Sequence, residues 1–109
     1  MNIQEISPFD YFHVLDARNE PSLVIVTSPA CGACRRLTHI LQEAQLDVDG
    51  LKCWQLQAAA SVGLLEELEV FHLPAMFLYA QGDCLGEIQC VLTVDAIRAQ
   101  IVRMLSEEL

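Results

Sequence analysis

Leu23-Val24-Ile25-Val26-Thr27 is an uncharged run of aliphatic and β-branched residues. A run without polar alternation predicts a strand buried on both faces. Ser28-Pro29 ends it. Beyond Cys31, the apolar residues Ala33, Leu37, Ile40, Leu41 and Ala44 recur at helical spacing, and Arg35, Arg36, His39, Gln42 and Glu43 fall mainly on the other side. That pattern predicts an amphipathic helix from about Cys31 to Gln45, following the buried strand directly.

The same reading extends along the chain. Ser7-Pro8-Phe9-Asp10 has the form of a helix start, with Ser7 as cap and Pro8 in the first turn. Phe9, Phe12 and Leu15 are then spaced to face inward. Leu51–Leu56 predicts a strand, and Ser61–Glu69 a short helix with Leu64, Leu65 and Leu68 inward. Ala75–Tyr79 and Cys84–Val91 predict two strands joined by a hairpin turn at Gln81-Gly82-Asp83. Thr93 caps a last helix whose inward stripe is Val94, Ile97, Ile101 and Met104 or Leu105. The expected order is α, β, α, β, α, β, β, α. It implies an α/β fold: a mixed central sheet of about four strands with helices on both faces. No repeat or linker divides residues 1–109, so a single domain is expected.

Composition narrows the function classes. The chain has 109 residues, 53% hydrophobic and 19% charged, which excludes disordered and low-complexity classes. Six Lys+Arg face fifteen Asp+Glu, for a formal charge of −9. Such a surface repels phosphate backbones and anionic lipid, so neither nucleic acid nor a membrane is an expected partner. The longest purely apolar run is Ala75–Ala80, far short of the ~18 residues of a membrane span. The first cationic side chain is Arg18, so no signal-peptide pattern is expected. These features lead to the expectation of a cytoplasmic protein.

Five cysteines (Cys31, Cys34, Cys53, Cys84 and Cys90) are too odd a number for a closed disulfide framework. Reduced thiols are the default in a reducing compartment, and Cys53, Cys84 and Cys90 read as small buried hydrophobes. Cys31-Gly32-Ala33-Cys34 is different. A C-x-x-C serves zinc knuckles, haem attachment or dithiol exchange. Haem attachment needs a histidine where Arg35 stands. Zinc needs about four ligands, and no second pair repeats the knuckle spacing. Dithiol chemistry has a direct basis: Cys31 falls at a helix N-terminus, where unpaired N–H groups and the dipole favour a thiolate. Cys34 follows one turn later on the same side. Gly32 lets the chain turn without a side chain, and Arg35 and Arg36 add positive charge.

These residues, with Leu73-Pro74-Ala75-Met76-Phe77-Leu78-Tyr79 and the Gly82 hairpin followed by a helix, make the chain similar to the thioredoxin family from about Pro8 onward. The resemblance implies a thioredoxin-like fold and thiol-disulfide oxidoreductase activity, with Cys31 and Cys34 catalytic. It implies that Pro74 is cis against the dithiol, and that the backbone of Leu73 pairs with an extended substrate. Disulfide-containing proteins or small disulfides would be substrates, another protein dithiol the reductant, and no cofactor or metal would be needed. Ala33 stands where thioredoxins carry Pro and would tune the redox potential. Ala30 stands where they carry Trp. Ile25 stands where they carry a buried Asp that deprotonates the second thiol, and the Lys that often accompanies it is replaced near Cys53. The related glutaredoxins hold glutathione with a Gly-Gly pair after the hairpin, but the sequence here is Gly86-Glu87-Ile88-Gln89-Cys90. The departures leave an alternative: a binding module or folding helper with a vestigial dithiol.

Overall fold

The structure is a computed structural model that describes residues 1–108. Ser22–Thr27 forms the central strand and is buried along its whole length, as its uninterrupted apolar run requires. Alternate side chains leave it on opposite faces. Leu23 and Ile25 enter one core with Leu37, Leu41, Ile97 and Ile101, while Val24 and Val26 enter a second with Tyr11, Leu15, Leu56 and Phe77.

The elements in chain order are β1 (Ile3–Glu5), α1 (Tyr11–Asp16), β2 (Ser22–Thr27), α2 (Gly32–Glu43), β3 (Lys52–Gln57), a single 3₁₀ turn (Ala58–Ala60), α3 (Val62–Glu67), β4 (Ala75–Ala80), β5 (Asp83–Glu87) and α4 (Val94–Glu107). The sheet runs β1-β3-β2-β4-β5. β1, β3 and β2 are parallel, and β4 and β5 are antiparallel to their neighbours. Helices α2 and α4 supply the first core, and α1 and α3 the second. The sheet therefore has five strands where about four are expected. The added one is the three-residue edge strand β1, which follows the register of β3 (Ile3 opposite Cys53, Glu5 opposite Gln55).

Two further elements depart from expectation. Ser7–Asp10 forms a turn, in which the Asp10 N–H donates to the Ser7 carbonyl at 3.1 Å and the Ser7 hydroxyl accepts from Phe9 N–H at 3.1 Å. The helix starts only at Tyr11, with Asp10 as its cap residue. Its phase shifts accordingly: Tyr11 and Leu15, an i, i+4 pair, are buried, and Phe9 is 94% exposed. β5 ends at Glu87 rather than Val91. Gly86, at φ 137°, and a register shift at Leu78/Tyr79 twist it from its neighbour, and Ile88 N–H to Met76 O at 2.8 Å is the last bond before the chain leaves. The hairpin turn itself is as expected. Gln81 and Gly82 both take positive φ (54° and 81°), the geometry of a two-residue hairpin loop.

The α2 helix is held at both ends. Its last carbonyls, on Leu41 and Gln42, together with that of Ala44, accept from the amino group of Met1. Thr93 caps α4 as its sequence predicts, with its hydroxyl accepting from Ala96 N–H at 3.2 Å. No helix among the described residues is long and apolar enough to cross a membrane.

Candidate active site

Residues 28–31 leave the buried end of β2 and turn into α2. Cys31 is the cap residue of that helix, with extended backbone. Its Sγ accepts a hydrogen bond from the Cys34 backbone N–H at 3.1 Å. A Ser, Thr, Asn or Asp oxygen normally fills this role. Here a sulfur takes it, at the positive end of the helix dipole. Cys31 and Cys34 are joined as a disulfide with Cα atoms 5.2 Å apart, within the usual bridging range. Cys31 is partly exposed and Cys34 is 1% exposed, so the outer sulfur of the pair is the one a large substrate can reach.

The neighbours of the dithiol are arranged as follows. Arg35 folds back over the helix start, and its Nη1 donates to the Pro29 carbonyl at 2.8 Å. It therefore braces the 28–31 loop as well as bringing charge. Arg36 is exposed on the helix surface. Gly32 is exposed without a positive φ, and a Cβ there would meet only Arg35 Nη2, at 3.8 Å. The backbone does not demand glycine at this position; its absent side chain leaves the surface beside Cys31 bare. Ala33 lies in the first turn of α2, partly exposed. The Leu73–Pro74 peptide is cis. Val26 opposite Ala75 brings Pro74 to the sheet end from which the dithiol loop departs.

Ile25 is fully buried and packs in one cluster with Leu37 and Leu41 of α2. Its cross-strand neighbours are Gln55 on β3 and Met76 on β4. No carboxylate lies among these partners. The β3 residue beside Ile25 is Gln55, two residues beyond Cys53, which itself pairs with Leu23 and Ile3.

Sequence reasoning missed the surface on the other flank of Cys34. Cys34, Thr38 and Gln42 stand at i, i+4 and i+8 and form one row along α2. They face Thr27, Gln55 and Gln57 across a trench of about 350 Å³, with Arg35 and His39 at its rim. Gln55 Nε2 donates to Thr27 Oγ1 at 2.7 Å, which fixes the strand-side wall. The signal was available in the polar period-2 positions of β3, Gln55 and Gln57, which flank the buried Leu56.

The other cysteines differ in environment. Cys53 is buried in the α2/α4 core, and desolvation pushes its thiol up to about 12. Cys90 is partly buried, and desolvation raises its pKa as well. Cys84 is exposed on β5. The expectation that all three are buried small hydrophobes therefore holds for Cys53 alone. Among the described residues, no three His, Cys, Asp or Glu side chains gather into a group that could hold a metal.

Comparison with known proteins agrees with this architecture. No curated protein matches the chain. Among solved structures, it is similar to Chlamydomonas reinhardtii thioredoxin f2 (TM-score 0.81, 13% identity, covering 94% of this chain and 95% of that one). It is also similar to a designed protein (TM-score 0.81, 15% identity, covering 96% and 99%). A third likeness is to the J-Trx1 fragment of ERdj5 (TM-score 0.78, 18% identity, covering 93% of this chain and 49% of that one). At such identities the likeness is one of fold. A sequence model of the family described as Thioredoxin matches residues 2–103, nearly the whole chain, and with the paired cysteines at the head of α2 it shows that the chain belongs to the thioredoxin family.

Proposed function

We propose that the chain is a thiol-disulfide oxidoreductase in which Cys31 attacks a substrate disulfide and Cys34 resolves the mixed disulfide. The observation that carries this reading is the hydrogen bond from Cys34 N–H to Cys31 Sγ. When the pair is reduced, that donor and the helix dipole favour negative charge on the exposed sulfur. Cys34, one turn away and covered, is placed to attack Cys31 from inside. Substrates are disulfide-containing proteins, aligned along the backbone of Leu73 beside Pro74, and a protein dithiol restores the reduced state. Three cysteines outside the pair remain free thiols, which fits a reducing, cytoplasmic setting.

A second reading, a binding module with a vestigial dithiol, draws on two observations. Ile25, which stands where thioredoxins carry a buried Asp, lies in an apolar cluster with Leu37 and Leu41, and Phe71, three residues before Pro74, is 89% exposed. The readings separate on a defined substrate. Cys34→Ser incubated with oxidised insulin should accumulate a covalent adduct that a reductant releases, and Cys31→Ser/Cys34→Ser should form none. Non-covalent binding that survives in the double variant, with no adduct in the single one, supports the binding module instead.

A further inference from the structure

Resolution of a mixed disulfide requires Cys34 to lose its proton, because the thiolate is the attacking species. Ile25, Leu37 and Leu41 form an apolar cluster that offers a proton no acceptor. The trench along α2 does. Its helix wall is the row Cys34, Thr38 and Gln42, and its strand wall is Thr27, Gln55 and Gln57. These side chains do not ionise, apart from Cys34 itself, and at about 350 Å³ the open trench has room for several hydrogen-bonded waters. Arg35 at the rim stays protonated. His39 is the remaining rim group that can take up a proton.

We propose that His39 accepts, through solvent in this trench, the proton that Cys34 releases on resolving the mixed disulfide. The proposal rests on the oxidoreductase reading. In the step, the Cys34 S–H bond breaks and its proton passes by water to the His39 imidazole. The Cys34 sulfur forms the bond to Cys31 Sγ, and the bond from Cys31 to the substrate sulfur breaks. The departing substrate thiolate keeps that electron pair and is later protonated. The substrate disulfide is reduced to two thiols and the dithiol is oxidised to the Cys31–Cys34 disulfide. His39 acts through water and is therefore a positioning residue. The charged residues on its own helix are Arg35, Arg36 and Glu43, and on the strand side Glu5 of β1 accepts at Oε1 from the trench residue Gln57, Nε2, at 3.1 Å. β2 and β3 face it with the uncharged Thr27, Gln55 and Gln57.

The test uses full-length reduced protein carrying Cys84→Ser and Cys90→Ser, mixed in stopped flow with 5,5′-dithiobis(2-nitrobenzoate). Attack by Cys31 releases one nitrothiolate in a first phase, and resolution by Cys34 releases another in a second. In His39→Gln the first phase should be unchanged. The second should slow about tenfold at neutral pH, on the order expected for loss of an assisted proton transfer, and should lose the pH dependence of the parent. Added imidazole should restore the rate in His39→Ala, a rescue that a purely structural role would not show. Glu5→Gln and Glu43→Gln should keep the parent profile. A normal first phase with an unchanged second phase in His39→Gln, or a profile carried by Glu5 or Glu43, overturns this inference alone. No first phase in the parent overturns the oxidoreductase reading and this inference with it.

Discussion

Cys34 and Cys53 are equally buried, each 1% exposed, yet they sit in opposite chemical surroundings. Cys53 lies on β3 between Ile3 and Leu23, in an apolar core that pushes its thiol up to about 12. Cys34 lies one turn into α2, bonded to a capping sulfur on one side and open to a polar trench on the other. Burial therefore does not set the role of a cysteine here. What differs is the supply of donors and proton acceptors: a helix N-terminus with its N–H groups, against a strand whose backbone groups are already paired.

The largest expected effect separates the two regions outright. Cys31→Ser should lower disulfide reduction by at least about a thousandfold, because a hydroxyl is a far weaker nucleophile than a thiolate at neutral pH. Cys53→Ala should leave the rate per folded molecule within about twofold. An insulin-reduction assay on both variants measures this.

The second effect is confined to the strand thiol and appears as pH dependence. Cys53 has its pKa raised in the fold from 9.0 to about 12. Below pH 9 the folded and unfolded chains both hold the proton and stability is unaffected. Above it the unfolded chain gives the proton up while the folded one keeps it, so stability falls as pH rises, by about 1.4 kcal/mol per unit. Denaturant melts of the parent and of Cys53→Ala between pH 8 and about pH 11 should diverge with that slope. Parallel curves would show that the core does not hold the thiol neutral.

A third substitution puts a carboxyl into the apolar cluster that Ile25 shares with Cys53. Ile25→Asp should speed turnover by supplying an acceptor for the Cys34 proton, and should cost about 3 kcal/mol through the buried carboxyl. Turnover and a denaturant melt, measured on the same preparation, check both. The smallest effect concerns the first turn of α2. Ala33→Pro should make the dithiol a stronger reductant against glutathione and stabilise the fold by about 0.4–1 kcal/mol, since proline fits a first helical turn and restricts the unfolded chain. An unchanged potential removes Ala33 from the account.

Much of this was legible in the residues. The β2 run, the α2 stripe and the Thr93 cap each answer to a local rule that the fold reinforces. Cys31 and Cys34 were legible because a C-x-x-C at a strand-to-helix junction has few physical uses. What escaped depends on partners distant in sequence. β1 is three residues long and takes its register from β3. The α1 phase turns on whether Ser7 begins a helix or closes a turn, a choice of small energy decided by Tyr11, whose hydroxyl pairs with that of Tyr79 at 2.7 Å. The trench joins residues of β2, β3 and α2, so no single stretch of sequence displays it.

The central claim is that the helix terminus makes Cys31 the reactive sulfur, and limited alkylation tests it most directly. The fully reduced chain would be treated with substoichiometric iodoacetamide at a series of pH values, and each cysteine-containing peptide quantified. The account predicts that Cys31 is labelled first, at a pH where Cys34, Cys53, Cys84 and Cys90 remain largely unmodified. Labelling of the exposed Cys84 ahead of Cys31 at every pH would contradict it, since exposure alone, without the helix terminus, would then govern reactivity.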